Sequence, residues 1–71
     1  MDIRGKLIEA GVKNLKEFGY PHVSSDNILT DMVYSRFFQG MLDDTIEGYP
    51  GTEAATAAEG LLGEIKTACK G

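Results

Sequence analysis

Few residues in this chain are of types that do chemistry, and their spacing limits what they can do. His22 is the single histidine and Cys69 the single cysteine. One histidine cannot supply the i, i+4 pair of a helical zinc site, nor act as a general base without a partner to orient it. Cys69 has no adjacent base to take its proton and reads as a small apolar residue on a last helical turn. Asp43 and Asp44 come nearest to a cation site, but adjacent helical positions point about 100° apart, so the carboxylates diverge. The nine glycines match neither G-x-x-x-x-G-K-[ST] nor a G-x-G-x-x-G turn after a strand, so no phosphate cradle is indicated. The sequence predicts no catalytic residue, no metal ligand and no cofactor, and hence a non-enzymatic protein.

Recognition chemistry is better represented. Asp43, Asp44 and Glu47, flanked by Tyr49, form an acidic cluster. They fall on the C-terminal turns of a predicted helix, where the dipole disfavours anions and where Asp43 and Glu47 repel each other at i,i+4. Acidic groups steer basic partners and add specificity. These four residues are therefore the candidate surface for a protein partner with a basic face; a solubilising charge cluster is the plainer reading. The same helix concentrates Met32, Val33, Tyr34, Phe37, Phe38, Met41, Leu42 and Ile46. Core packing accounts for such a helix, yet two apolar rows can also supply a homodimer seam, with Tyr34, Phe37 and Phe38 as its candidates.

Three helices must position these side chains. In IRGKLIEAGVKNLKEF, Ile3, Leu7, Gly11 and Leu15 recur at steps of four beside Ile8, Val12 and Phe18, with Asp2 as the N-cap. SSDN then favours a turn through Asn27, Ile28 and Leu29 capped by Asp26, and Thr30 or Asp31 caps a second helix over 32–47, a continuous helix from Asn27 being the alternative. Its rows are Val33, Phe37, Met41 and Tyr34, Phe38, Leu42. The third helix is capped by Thr52 and carries the stripe Ala54, Ala58, Leu61, Leu62, Ile65 and Ala68, with Lys66 and Lys70 near its negative end. Gly60 and Gly63 oppose helix propensity by about 1 kcal/mol each, which a close helix crossing would rationalise.

Gly-Tyr-Pro occurs twice, at residues 19–21 and 48–50. Outside the tripeptide the flanks do not align. It reads as punctuation: glycine for a left-handed cap, proline to stop the helix, and a tyrosine able to fold back over the helix end. The expected fold is all-α, a single three-helix domain over 1–71 with short loops.

With 71 residues the chain is near the lower limit for independent folding, and one cysteine excludes an internal disulfide. The formal charge is −4. Residues 26–47 carry Asp26, Asp31, Asp43, Asp44 and Glu47 against Arg36 alone. The modest basic set is Arg4, Lys6, Lys13 and Lys16 on the first segment, too little for a phosphate-binding face, so a helix-turn-helix DNA reader is the weakest reading. No membrane span or signal peptide is evident. A lone thiol suits a reducing cytoplasm.

Residues 12–42 resemble small uncharacterised proteins of bacteriophages and prophages. LKEFGYP at 15–21 carries the likeness, with NILTD followed by Tyr34 and the Phe37–Phe38 pair. The resemblance implies a mobile-element origin, a bacterial cytoplasm and an accessory protein that binds and modulates a host protein, as anti-CRISPR inhibitors do. It implies no catalytic residue.

Overall fold

The computed structural model describes residues 2–69, apart from the side chain of Cys69; Lys70, expected at the end of the third helix, lies outside them. Three helices follow in order, α1 (Ile3–Phe18), α2 (Met32–Gly48) and α3 (Glu53–Cys69), with no strand among the described residues. The all-α three-helix expectation holds. The Cα radius of gyration is 11.3 Å, close to the roughly 11 Å expected of one packed domain of this length. α2 and α3 share the most extensive interface, and α1 lies against both, touching α3 more than α2.

Each boundary has a local cause. Asp2 occupies the N-cap position of α1, but its side chain makes no cap hydrogen bond. Gly19 closes the helix at φ 109°, and the N–H groups of Gly19 and Tyr20 donate to Lys16 O and Leu15 O at 3.1 and 3.0 Å. This crossed pair is the Schellman arrangement, which favours glycine. Asp31, of the two candidates, caps α2: its Oδ1 accepts from the N–H groups of Val33 and Tyr34 at 2.8 and 3.0 Å. Thr52 caps α3 through Oγ1, which accepts from Ala55 N.

The second Gly-Tyr-Pro works differently from the first. Gly48 is the last helical residue rather than a left-handed cap, and the positive φ belongs to Gly51, at 77°. Tyr49 O accepts from Thr52 N at 3.3 Å. Proline followed by a left-handed glycine makes residues 49–52 a tight turn that doubles α3 back onto α2. The feature common to both copies is Tyr-Pro opening a turn, since Tyr20 O likewise accepts from Val23 N.

Residues 19–31 do more than connect. Val23 and Ile28 are buried there and close the core formed by Ile8, Leu15, Phe38, Leu42, Leu61 and Ile65. Asn27 and Ser24 organise the turn, rather than Asp26. Asn27 Oδ1 accepts from Ser24 N, Asn27 Nδ2 donates to His22 O, and Ser24 Oγ accepts from Asp26 N.

The helix glycines divide sharply. At Gly11 an added Cβ would fall 2.6 Å from a Phe38 ring carbon and 2.9 Å from Ile28 Cδ1; at Gly60 and Gly63 it would meet nothing within 4 Å. The close approach expected at Gly60 and Gly63 is therefore made at Gly11 instead. Arg4 and Glu64 join α1 to α3 through two hydrogen bonds, with Arg4 Nε 3.0 Å from Oε2. Those bonds, ahead of the guanidinium's charge, hold the Glu64 carboxyl below its ordinary value.

Two predictions follow from this packing. Gly60→Ala and Gly63→Ala each stabilise the protein by about 0.5–1 kcal/mol, whereas Gly11→Ala destabilises it by about 1–3 kcal/mol of overpacking. Urea unfolding reads both signs. Because the folded Glu64 titrates below the unfolded one, its stabilisation is complete above the ordinary carboxylate value and is lost as pH falls through the folded value. The stability gap between wild type and Glu64→Gln, about 0.2–1 kcal/mol at neutral pH, therefore closes in acid. Paired thermal melts from pH 7 downward measure it.

Candidate protein-interaction face

The site residues predicted from sequence lie on or just beyond α2, and the structure sorts them by direction. Phe38 is wholly buried. It is a core residue, so it cannot belong to an oligomer seam. Tyr34 is half-buried beside it, packed against the same core. Phe37 is the seam candidate left at the surface, at 44% exposure. Of the two apolar rows, Tyr34, Phe38 and Leu42 turn inward with Ser35, while Val33 and Phe37 turn out.

Phe37 is held by aromatic neighbours from α1 and the segment after it. Its ring centroid lies 5.4 Å from that of Tyr20 and 6.2 Å from that of Phe18. Tyr20 meets Tyr34 edge-on at 5.8 Å. Such contacts are each worth about 0.5–1.5 kcal/mol beyond the area they bury. Tyr20 thus folds back as expected of a tyrosine after the cap, and it fixes the ring that the surface presents. Phe18, expected on the apolar face of α1, is 74% exposed and extends the patch instead. A cleft of about 60 Å³ lies between α1 and α2, lined by Asn14, Leu15, Phe18, Phe37 and Met41. It has room for the tip of an aliphatic side chain and is far smaller than the roughly 300 Å³ of a metabolite pocket.

Asp43, Asp44 and Glu47 are all exposed, and Tyr49 is 63% exposed just past the helix end. None of the three carboxylates is ion-paired among the described residues. α1 and α3 each carry a lysine in the last turn, Lys16 and Lys66, where cations suit the dipole; α2 carries none. The acidic cluster therefore intensifies the negative end of α2.

The helical period brings the two predicted surfaces onto one face. Val33, Phe37, Gly40 and Asp44 fall at steps of four, three and four, and Met32, Arg36, Asp43 and Glu47 run alongside. All eight are exposed. From Val33 to Glu47 the face extends roughly 21 Å, apolar in its first half and acidic in its second. Sequence reasoning named Val33 and Met32 only as parts of an apolar arc and passed over Gly40. The signal for them is the same period, once the inward direction is known.

His22 is exposed in the loop. No group of three or more His, Cys, Asp or Glu able to hold a metal occurs among the described residues, and no described helix is long and apolar enough to cross a membrane. No protein-family model, curated protein or solved structure matches this chain.

The two adjacent phenylalanines should separate cleanly on truncation. Phe38→Ala is expected to cost about 3–5 kcal/mol, enough to unfold much of a domain this small. Phe37→Ala should cost less, about 1–3 kcal/mol from its two aromatic contacts. Chemical denaturation of the two variants under one set of conditions tests the assignment.

Proposed function

We propose that this chain is a non-enzymatic protein-binding module, a phage- or prophage-encoded inhibitor or modulator of a host protein in the bacterial cytoplasm. The observation that carries the reading is the outward face of α2. Met32 and Val33 are 83% and 50% exposed on the same face as Phe37, Phe18 packs on Phe37 from α1, and the face ends in three carboxylates with no ion pair among the described residues. Burying one such apolar side chain is worth about 1.5–3 kcal/mol. A short domain with little stability to spare leaves several of them in water and adds anions where its helix dipole opposes them. Each choice runs against stability and they coincide on one surface, as expected where binding rather than folding selects the residues. The resemblance over residues 12–42 supports the mobile-element part of this reading, and anti-defence inhibitors, anti-CRISPR proteins among them, are the functional class it suggests.

A second reading is a small helical homo-oligomer serving phage assembly. Phe37 favours it, because an exposed aromatic on a helix face can pair with its own copy. A helix-turn-helix DNA reader is weaker, since the exposed acids of α2 repel phosphate.

Affinity capture with the tagged full-length protein from bacterial lysate, followed by mass spectrometry, separates these readings. The expected result is one host protein at near-stoichiometric amount, lost when Asp43 and Asp44 are both changed to Lys while helicity is retained. Recovery of the protein alone, with a dimeric mass in solution, overturns the inhibitor reading in favour of the homo-oligomer.

A further inference from the structure

The α2 face is divided along its length, and that division constrains what can lie on it. Its apolar half centres near residue 35 and its acidic half near residue 45, so the two are about 15 Å apart along the axis. Between them, Gly40 presents bare backbone: an added Cβ there would meet nothing within 4 Å. Gly40 costs the exposed helix about 1 kcal/mol against alanine, and no contact inside the domain requires it. The gap opens toward whatever covers the face.

A second copy fits this surface poorly. Two α2 faces crossed antiparallel about Gly40 would set Arg36 against Asp44 in each direction. The same register would press Asp43 onto Phe37 and Glu47 onto Val33, burying carboxylates with no counter-charge. Parallel pairing would stack acid on acid at the negative ends of both helices. A segment with cations at one end and aliphatic residues at the other satisfies both halves at once.

Resting on the protein-binding reading above, we infer that the outward face of α2 docks a basic amphipathic helix of the partner. An aliphatic side chain of that helix seats against Met32, Val33 and Phe37, which line a concavity at the apolar end of the face. Its Lys or Arg residues, about eleven positions away on the same face, meet Asp44 and Glu47. Its backbone passes over Gly40, where no side chain holds it off. The occupant is a helix because the anchors lie about 15 Å apart along one helix face, which three turns of helix span with side chains on a single side.

A designed peptide tests the docking without knowledge of the natural partner. The probe is an amidated, fluorescently labelled helix of about 20 Ala, Gln, Leu and Arg residues, with its Leu and Arg pairs about eleven positions apart on one face. A control of identical composition carries the Arg pair on the opposite face. The expected result is saturable anisotropy with the probe, at least tenfold weaker binding of the control, and amide NMR shifts centred on Val33, Phe37, Gly40 and Asp44. Gly40→Gln, which favours the helix and keeps the charge, should weaken binding about tenfold by blocking the approach. The double variant Asp44→Lys, Glu47→Lys should weaken it at least as much and remove its salt dependence. Equal binding of probe and control, or unchanged affinity of Gly40→Gln, overturns the inference. So does a protein that ignores the peptide but dimerises through Phe37. If the peptide fails while lysate capture still yields a stoichiometric host protein, the helical occupant is wrong and the protein-binding reading stands; failure of both removes both.

Discussion

The tightest contact of α2 across to α1 is Phe38 fitting against the bare backbone of Gly11. The Phe38 ring lies where a Cβ on residue 11 would have to be, with Ile28 closing the other side. α2 packs most extensively on α3 and least on α1, so this knob in its notch adds to the α3 interface in fixing which row of α2 turns inward. Rotation is the quantity that matters. With Phe38 pointing in, Phe37 is turned about 100° away and Val33 goes with it, while Tyr34 and Leu42 are carried inward. The exposed face is the geometric complement of a core contact.

Sequence periodicity revealed both apolar rows of α2 but had no means of ranking them. Val33, Phe37, Met41 and Tyr34, Phe38, Leu42 are comparably hydrophobic, and the choice rests on contacts with α1 and α3, far away in the chain. The same limit applied to the glycines. A glycine in a helix announces either a close approach or open space, and only the neighbours distinguish them: Gly11 has the approach, Gly60 and Gly63 the space. The helices themselves were legible, because Gly19, Asp31 and Thr52 signal their ends through local chemistry. Val23 and Ile28 were not, since a buried residue in a turn leaves no periodic trace. The acidic cluster was visible as composition; that it continues the apolar row on one face became visible only with the inward direction known.

The small core explains why the exposed row is tolerable. Val23 and Ile28 add buried apolar area from a segment that helix periodicity treats as connection, and Asp31, Thr52 and the Gly19 cap satisfy backbone groups at the helix ends. These local gains offset the exposed Met32, Val33 and Phe37 and the anions of the last α2 turn. The ion pair of Arg4 with Glu64 ties α1 to α3, and among the described residues the carboxylates of the α2 face make no ion pair.

The repeated Gly-Tyr-Pro acquires its meaning from the helix it brackets. One copy lies before α2 and the other at its end, and in both the tyrosine carbonyl opens a turn. The side chains then take opposite tasks. Tyr20 folds back and packs on Phe37 and Tyr34, so the first copy stiffens the apolar end of the face from beneath. Tyr49 stays out beside Glu47, so the second copy adds an amphipathic ring to the acidic end. Glycine serves the backbone only where α1 must finish in a left-handed residue; after α2 that conformation passes to Gly51, and Gly48 remains helical. Similar punctuation thus serves as a buried support at one end of α2 and as exposed surface at the other, because the ring at residue 20 has α2 to fold onto and the ring at residue 49 faces solvent.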